Sequence, residues 1–261
     1  MAQGAPIDVV MSDGVATLTL SDPDHRNTLT AAVIAGLLDA LEAAAADPSV
    51  RVVVLTNAGQ VFCAGADLSG TSGGDRATSE RGASGFDELL RAIQASATPV
   101  VGRIDGHAVA GGVGLAAACD ISIARDDVLL GFTEVRVGVV PAMISVVCLP
   151  KMRRGDALEA FLRGTRFPAP RAAEIGLINR AVPADQLDAA VTEVVDDLKR
   201  GGPTALGLAK RLVYEVPSLP DDEAWSATAA QSAALFGSDE AAEGMAAFLG
   251  KRRPAWAPEQ G

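Results

Sequence analysis

Apolar positions alternate with polar ones or run together over residues 7–11 and 15–20, with Ser12, Asp13 and Gly14 between the two runs. An Asp-Gly pair so placed predicts a β-hairpin, since both residues tolerate the positive φ angles of a two-residue turn. The period then lengthens. Residues 30–46 are rich in Ala and Leu, open on Thr30 and stop at Asp47-Pro48, which predicts a helix. Residues 50–55 form a short β-branched run, the signature of a strand buried on both faces. Helical spacing returns over 86–97 and briefly over 113–119, and strands are predicted over 99–104, 121–124 and 128–132. After Pro141 helices dominate, with four or more segments over 144–249 interrupted by one apolar run at 177–182. The segments from 203 onward are amphipathic and lie beyond the alternation of strand and helix. They either pack on a neighbouring chain or fold back on the core.

Two stretches of small residues break this pattern: Val61-Phe62-Cys63-Ala64-Gly65-Ala66-Asp67-Leu68, and Asp105-Gly106-His107-Ala108-Val109-Ala110-Gly111-Gly112-Val113-Gly114. Each follows a predicted buried strand and reads as a loop whose backbone N–H groups can approach a ligand closely. Side by side, two such loops would aim a pair of donors at one carbonyl oxygen, as stabilisation of a thioester enolate requires. Between them, residues 69–85 are mostly Gly, Ser, Thr, Arg and Asp with little to bury, which predicts a mobile surface segment suited to act as a lid.

A chain of 261 residues allows one large α/β domain or a domain with an appendage. With 49% hydrophobic but only 4% aromatic residues, its core must be aliphatic. A net charge of −11 argues against nucleic acid or an anionic membrane as partner, because both need a basic footprint. The N-terminal residues lack the basic start and apolar run of a signal peptide, and no stretch is long and apolar enough to span a bilayer, so a cytoplasmic location is expected. Cys63, Cys119 and Cys148 have no metal-type spacing and suit reduced, buried thiols. His25 and His107 are the only histidines and no GxSxG elbow exists, so neither a metal site nor a serine triad is expected; His107 reads as a loop residue beneath the second loop.

Gly112-Val113-Gly114-Leu115-Ala116-Ala117 also fits a dinucleotide fingerprint, with Glu134 twenty residues after Gly114 where a ribose-binding acid would stand. Context opposes this, since Asp105-Gly106-His107 interrupts the strand that should lead into the first glycine and no second βαβ half follows. Glu134 itself stands in an apolar run over 129–140, where poor solvation would favour its neutral form, as proton transfer to carbon requires. The alternative is an ion pair with Arg136 or an exposed carboxylate at a helix start. Ser145 and Asp67 are possible helpers, each also suited to a capping role.

Further segments flank these: Pro23-Asp24-His25-Arg26-Asn27-Thr28-Leu29-Thr30, Ala117-Ala118-Cys119-Asp120-Ile121, Phe132-Thr133-Glu134-Val135-Arg136-Val137-Gly138-Val139-Val140-Pro141, and Glu243-Gly244-Met245-Ala246-Ala247-Phe248-Leu249-Gly250-Lys251-Arg252. Together with the two loops, and in this order, they resemble the crotonase (enoyl-CoA hydratase/isomerase) superfamily along nearly the whole chain. Gly112-Val113-Gly114-Leu115, Thr133-Glu134-Val135-Arg136 and Pro141-Ala142-Met143-Ile144-Ser145 look most like its methylglutaconyl-CoA hydratase-type branch.

The resemblance implies an α/β fold, a ClpP-like spiral of ββα units over residues 1–200, with an all-helical oligomerisation region over 201–261 that builds homotrimers, usually paired into hexamers. It also implies an oxyanion hole made by the N–H groups of Ala66 and Gly111, with Glu134 as the catalytic acid/base. Coenzyme A, carried by the substrate and the only cofactor expected, would be held by Arg26, Ala64, Ala66, Asp67 and Leu68; Lys251 and Arg252 would either help across a subunit boundary or form a solvated charged run. The negative net charge permits this, since a few local cations and backbone donors can hold the CoA phosphates. Gly114 departs from the pattern of the best-known hydratases, which carry a second glutamate there. The resemblance therefore implies an enoyl-CoA hydratase of fatty acid metabolism working with one glutamate, and leaves open a Δ3-Δ2-enoyl-CoA isomerase or a non-catalytic acyl-CoA-binding relative.

Overall fold

A computed structural model describes residues 6–66 and 85–257. Strands β1 (Ile7–Ser12) and β2 (Val15–Leu20) pair antiparallel about Asp13 and Gly14, at φ 51° and 74°, which is the backbone the Asp-Gly signal demands. Helix α1 (Ala31–Ala46) is capped by Thr30, whose side chain accepts the Val33 N–H, and it buries Val33, Ile34, Leu37 and Leu41.

The chain then repeats one unit three times. The first is β3 (Val52–Asn57), β4 (Val61–Cys63) and α2 (Phe86–Ala95); the second β5 (Val100–Ile104), β6 (His107–Val109) and α3 (Gly111–Ala118); the third β7 (Ile121–Arg125), β8 (Leu129–Gly131) and α4 (Ala142–Cys148). The first strand of each unit joins one sheet and the second strand joins another. With β9 (Arg166–Pro168) and β10 (Arg180–Val182), the sheets run β1-β2-β3-β5-β7-β10 and β4-β6-β8-β9. Apart from the antiparallel pairs β1/β2 and β8/β9, every neighbour is parallel. Residues 61–63 and 107–109, read from sequence as parts of loops, are thus strands. Three residues are too few to show a period.

β3 is buried over its whole length because both faces of its sheet are covered. Val53 and Leu55 enter the larger core with α1, α2 and α3, while Val52 and Val54 face Leu187, Val191, Val194 and Val195 of helix α7 (Leu187–Arg200). Helices α5 (Arg154–Arg163) and α6 (Ala169–Glu174) precede α7; α8 (Pro203–Glu215), α9 (Asp221–Phe236) and α10 (Asp239–Leu249) follow it.

The C-terminal helices are tied back to their own core. Lys210 of α8 lies 2.9 Å from Asp120 and donates to the Ile93 carbonyl, and Arg51 donates to the carbonyls of Gly201 and Trp256. Their opposite side stays open, with Trp225, Phe236, Phe248 and Leu249 exposed and no residue of α9 buried. Among the described residues no helix is long and apolar enough to cross a membrane. Of the segment expected to be a lid, residues 69–84 lie outside the described residues, and Gly85 is the left-handed cap that opens α2.

Candidate active site

The second strands of the three units lie side by side and parallel, β4 against β6 and β6 against β8. A group that follows each strand is therefore delivered to the same end of the small sheet, the carboxyl end, where α/β proteins build their sites. These groups are Ala66 after β4, Gly111 after β6 and Glu134 after β8.

The first is fixed by the segment ahead of α1. Asn27, 1% exposed, donates to the carbonyls of Ala58 and Val61 and accepts the Asp22 N–H. Residues 26–29 are thereby laid along 64–66: the Ala64 N–H donates to Arg26 and the Leu29 N–H to Gly65, at 3.1 and 2.8 Å. Gly65 turns the chain at φ 83°, and a β-carbon there would lie 3.0 Å from the Gly111 nitrogen. One on Gly111 would lie 2.8 Å from Leu29 Cδ1, and one on Gly112 would overlap the Cys63 carbonyl oxygen. Glycine at these positions is what lets the loops touch.

Ala110 completes the second loop in a backbone conformation that belongs to glycine, φ 50° and ψ −122°. Its N–H donates to Gly131 at the end of β8, and α3 begins at the next residue. The Gly111 N–H is then the first of a helix and has no intrahelical acceptor. Among the described residues neither it nor the Ala66 N–H is hydrogen-bonded.

Glu134 opens a 3-10 turn, Glu134–Val137, just after Phe132, whose buried ring packs 4.4 Å from that of Phe161. The turn is pinned by Arg136, which donates twice to the Arg163 carbonyl at the end of α5, so the ion pair between Arg136 and Glu134 entertained from sequence does not form. Glu134 Oε2 is buried and has no hydrogen-bond partner among the described residues. Burial raises the pKa of this carboxyl, opposed in part by its own backbone N–H.

Other candidates fall away from the chemistry. His107 is a strand residue rather than a loop residue beneath the donor: its Nδ1 accepts the Leu129 N–H at 2.9 Å and aligns β6 with β8. Ser145 donates to the Ala142 carbonyl within its own helix. Cys63 is fully buried, which pushes its thiol up to about 12 and leaves it inert. Arg252 pairs with Glu243 through both carboxylate oxygens. Arg26 is exposed, and its guanidinium forms no ion pair among the described residues; Asp67 and Leu68 lie outside them. No cluster of His, Cys, Asp and Glu suited to a metal occurs among the described residues. Sequence reasoning singled out neither Asn27 nor Ala110, and offered Arg136 only as an ion-pair partner of Glu134. Their work is done across the fold, on carbonyls and strands that no local spacing reveals.

Residues 11–259 match the model of the enoyl-CoA hydratase/isomerase family. Among known relatives, a carnitinyl-CoA dehydratase of Proteus mirabilis is 33% identical over 217 residues, covering 80% of this chain and 82% of its own. A 2,3-dehydroadipyl-CoA hydratase of Escherichia coli is 30% identical over 245 residues, 92% and 94% of the two chains. Among solved structures, an enoyl-CoA hydratase of Mycobacterium smegmatis superposes with a TM-score of 0.90 at 32% identity, over 96% of this chain and 98% of that one.

Proposed function

The chain belongs to the enoyl-CoA hydratase/isomerase family and has the crotonase fold; from that premise we propose that it adds water across the double bond of a 2-enoyl-CoA thioester with Glu134 as its one proton carrier. The observation that carries this is the delivery of Ala66, Gly111 and Glu134 by three adjacent parallel strands to one end of one sheet. The thioester oxygen is received between the N–H groups of Ala66 and Gly111. As the Glu134 carboxylate takes a proton from water, the oxygen of that water bonds to C3 and the π electrons move onto the thioester oxygen. The two donors stabilise the enolate by roughly 3 kcal/mol each. Glu134, now protonated, returns the proton to C2, so atoms and charge balance with one carboxyl group and no cofactor beyond the CoA of the substrate.

CoA contacts are assigned to Arg26, Ala64 and Ala66 on the strapped segment, and to Asp67 and Leu68 just beyond it. The open apolar side of α9 and α10 supports assembly into trimers or hexamers through residues 201–261, with residues 1–200 as the catalytic core. Sedimentation tests this, and a stable active monomer would refute it. A cytoplasmic location and a place in fatty acid metabolism complete the proposal.

Gly114 favours one second reading, since a single carboxyl is enough to move a double bond by taking a proton from C2 and returning it to C4. Offering 2-enoyl- and 3-enoyl-CoA esters of several lengths, with products identified by mass, separates the outcomes. A gain of water identifies the hydratase, isomerisation without mass change the isomerase, and binding without turnover a silent relative.

A further inference from the structure

Each backbone donor shares one planar trans peptide with the carbonyl of the residue before it, so whatever holds that carbonyl also sets the direction in which the N–H points. For Gly111 that carbonyl belongs to Ala110, which accepts the N–H groups of Val113 and Gly114 and is thereby fixed by the first turn of α3. For Ala66 it belongs to Gly65, and here the hold comes from outside the loop. The Gly65 carbonyl accepts the Leu29 N–H at 2.8 Å, within a parallel bridge of Leu29 to Ala66, while the Gly65 N–H donates to Cys63 Sγ at 3.4 Å. The Ala66 N–H therefore points away from Leu29, on a peptide whose orientation the Leu29 hydrogen bond sets.

Leu29 is placed in turn by Asn27. Arg26 and Asn27 both stand in the left-handed region, at φ 56° and 51°, a backbone that asparagine tolerates better than most residues. The Asn27 side chain, in a residue 1% exposed, holds this turn at three points. Its Nδ2 donates to the Val61 carbonyl at 2.7 Å and the Ala58 carbonyl at 3.1 Å, and its Oδ1 accepts the Asp22 N–H at 2.8 Å. Ala58 and Val61 bracket the connection from β3 to β4, the strand that leads to Gly65. One amide thus fastens the segment bearing the Leu29 N–H to the strand bearing the Gly65 carbonyl. We propose that Asn27 is a positioning residue for the Ala66 donor, setting through Leu29 and Gly65 the direction of an N–H it does not touch. The proposal rests on Ala66 being an oxyanion donor.

The test uses the full-length chain and the 2-enoyl-CoA ester it turns over fastest. The saturated acyl-CoA of the same length, isotope-labelled at its thioester carbonyl, serves as a bound probe that cannot be hydrated. Asn27→Gly keeps the left-handed backbone and removes all three hydrogen bonds; Asn27→Ser, too short to reach both carbonyls, carries the same test should the glycine variant not fold. Deleting an oxyanion donor costs about 10²–10³ in kcat, so misdirecting one should lower kcat about tenfold with KM nearly unchanged. The infrared carbonyl stretch of the bound probe, lowered in the parent by the two donors, should move back towards that of the free probe, a shift that lost fold stability alone would not produce. In an Ala66→Pro background, where that N–H is already gone, Asn27→Gly should cost less than about threefold more. A parent-like kcat and carbonyl stretch in Asn27→Gly, or an equal loss with and without Ala66→Pro, would overturn the proposal. The underlying reading fails separately: if Ala66→Pro keeps full kcat, or the parent leaves the probe's carbonyl stretch where it lies in the free probe, Ala66 is no oxyanion donor whatever Asn27 does.

Discussion

Ala110→Gly should stabilise this protein, against the usual direction for glycine. Ala110 is held at φ 50° and ψ −122° from both sides: its N–H donates to Gly131, and its carbonyl accepts from Val113 and Gly114. A non-glycine residue in such a region costs about 1–3 kcal/mol. Glycine removes that strain and adds an unfolded-state entropy penalty of about 0.4–1 kcal/mol. It also gives up a half-buried methyl group, less than the roughly 0.8 kcal/mol of a fully buried one. The balance is a gain of about 0.5–1 kcal/mol, which in a chain of this size raises Tm by roughly 1–4 °C. Urea unfolding with the slope checked for constancy measures it. Turnover should fall a few-fold while KM holds, because a glycine before Gly111 lets the donor N–H swing. A variant less stable than the parent by 1 kcal/mol or more would show that the Ala110 backbone is not strained.

Ala66→Pro removes one donor but leaves the Leu29-to-Gly65 hydrogen bond intact, so it should lower kcat about a hundredfold, roughly 3 kcal/mol, while Ala66→Ser stays close to the parent. Glu134→Gln should keep acyl-CoA affinity, measured by calorimetry, and lose about 10²–10⁴ in turnover. Because burial raises the Glu134 pKa, its native form is penalised as pH rises from the ordinary carboxylate range through the raised value, so the Gln variant should gain in Tm over the parent between pH 4 and 7. Lys210→Met leaves Asp120 without its ion-pair partner, the two side chains being 7% and 16% exposed, and, among the described residues, only the Val100 N–H still donating to it; it should cost about 3 kcal/mol in urea unfolding, and adding Asp120→Asn should recover part of it.

The sequence pattern was a good guide wherever an element is long enough to show its period and is buried on a definite face. The hairpin, α1, β3, α2 and β5 all lie within a few residues of their expected places. It failed on β4, β6 and β9, three residues each, whose pairing partners are remote in the chain. The site suffered from the same blindness. Ala66, Gly111 and Glu134 stood out through motif resemblance, yet what brings the segments after their strands to one end of one sheet is the β4-β6-β8 pairing that local spacing hides.

The fate of Gly114 shows how far a local gap is a tertiary feature. In the sequence it is an absence, a position without a carboxylate. In the fold it is occupied space, because the place of its β-carbon is taken by Ile144 from another helix. Installing a glutamate at 114 alone would set a side chain against Cγ2 of Ile144 and drive α3 from α4, so a failed gain of hydration in that variant would report a clash rather than chemistry. Ile144→Ala would not relieve this, because its remaining β-carbon still lies 2.7 Å from the new one; Ile144→Gly leaves only the Cα, at 3.5 Å, and gives the glutamate room to enter. If a second carboxylate limits hydration in this scaffold, Gly114→Glu with Ile144→Gly should hydrate a 2-enoyl-CoA faster than Ile144→Gly alone. A folded double variant no faster than Ile144→Gly would show that one glutamate already supplies what the reaction needs.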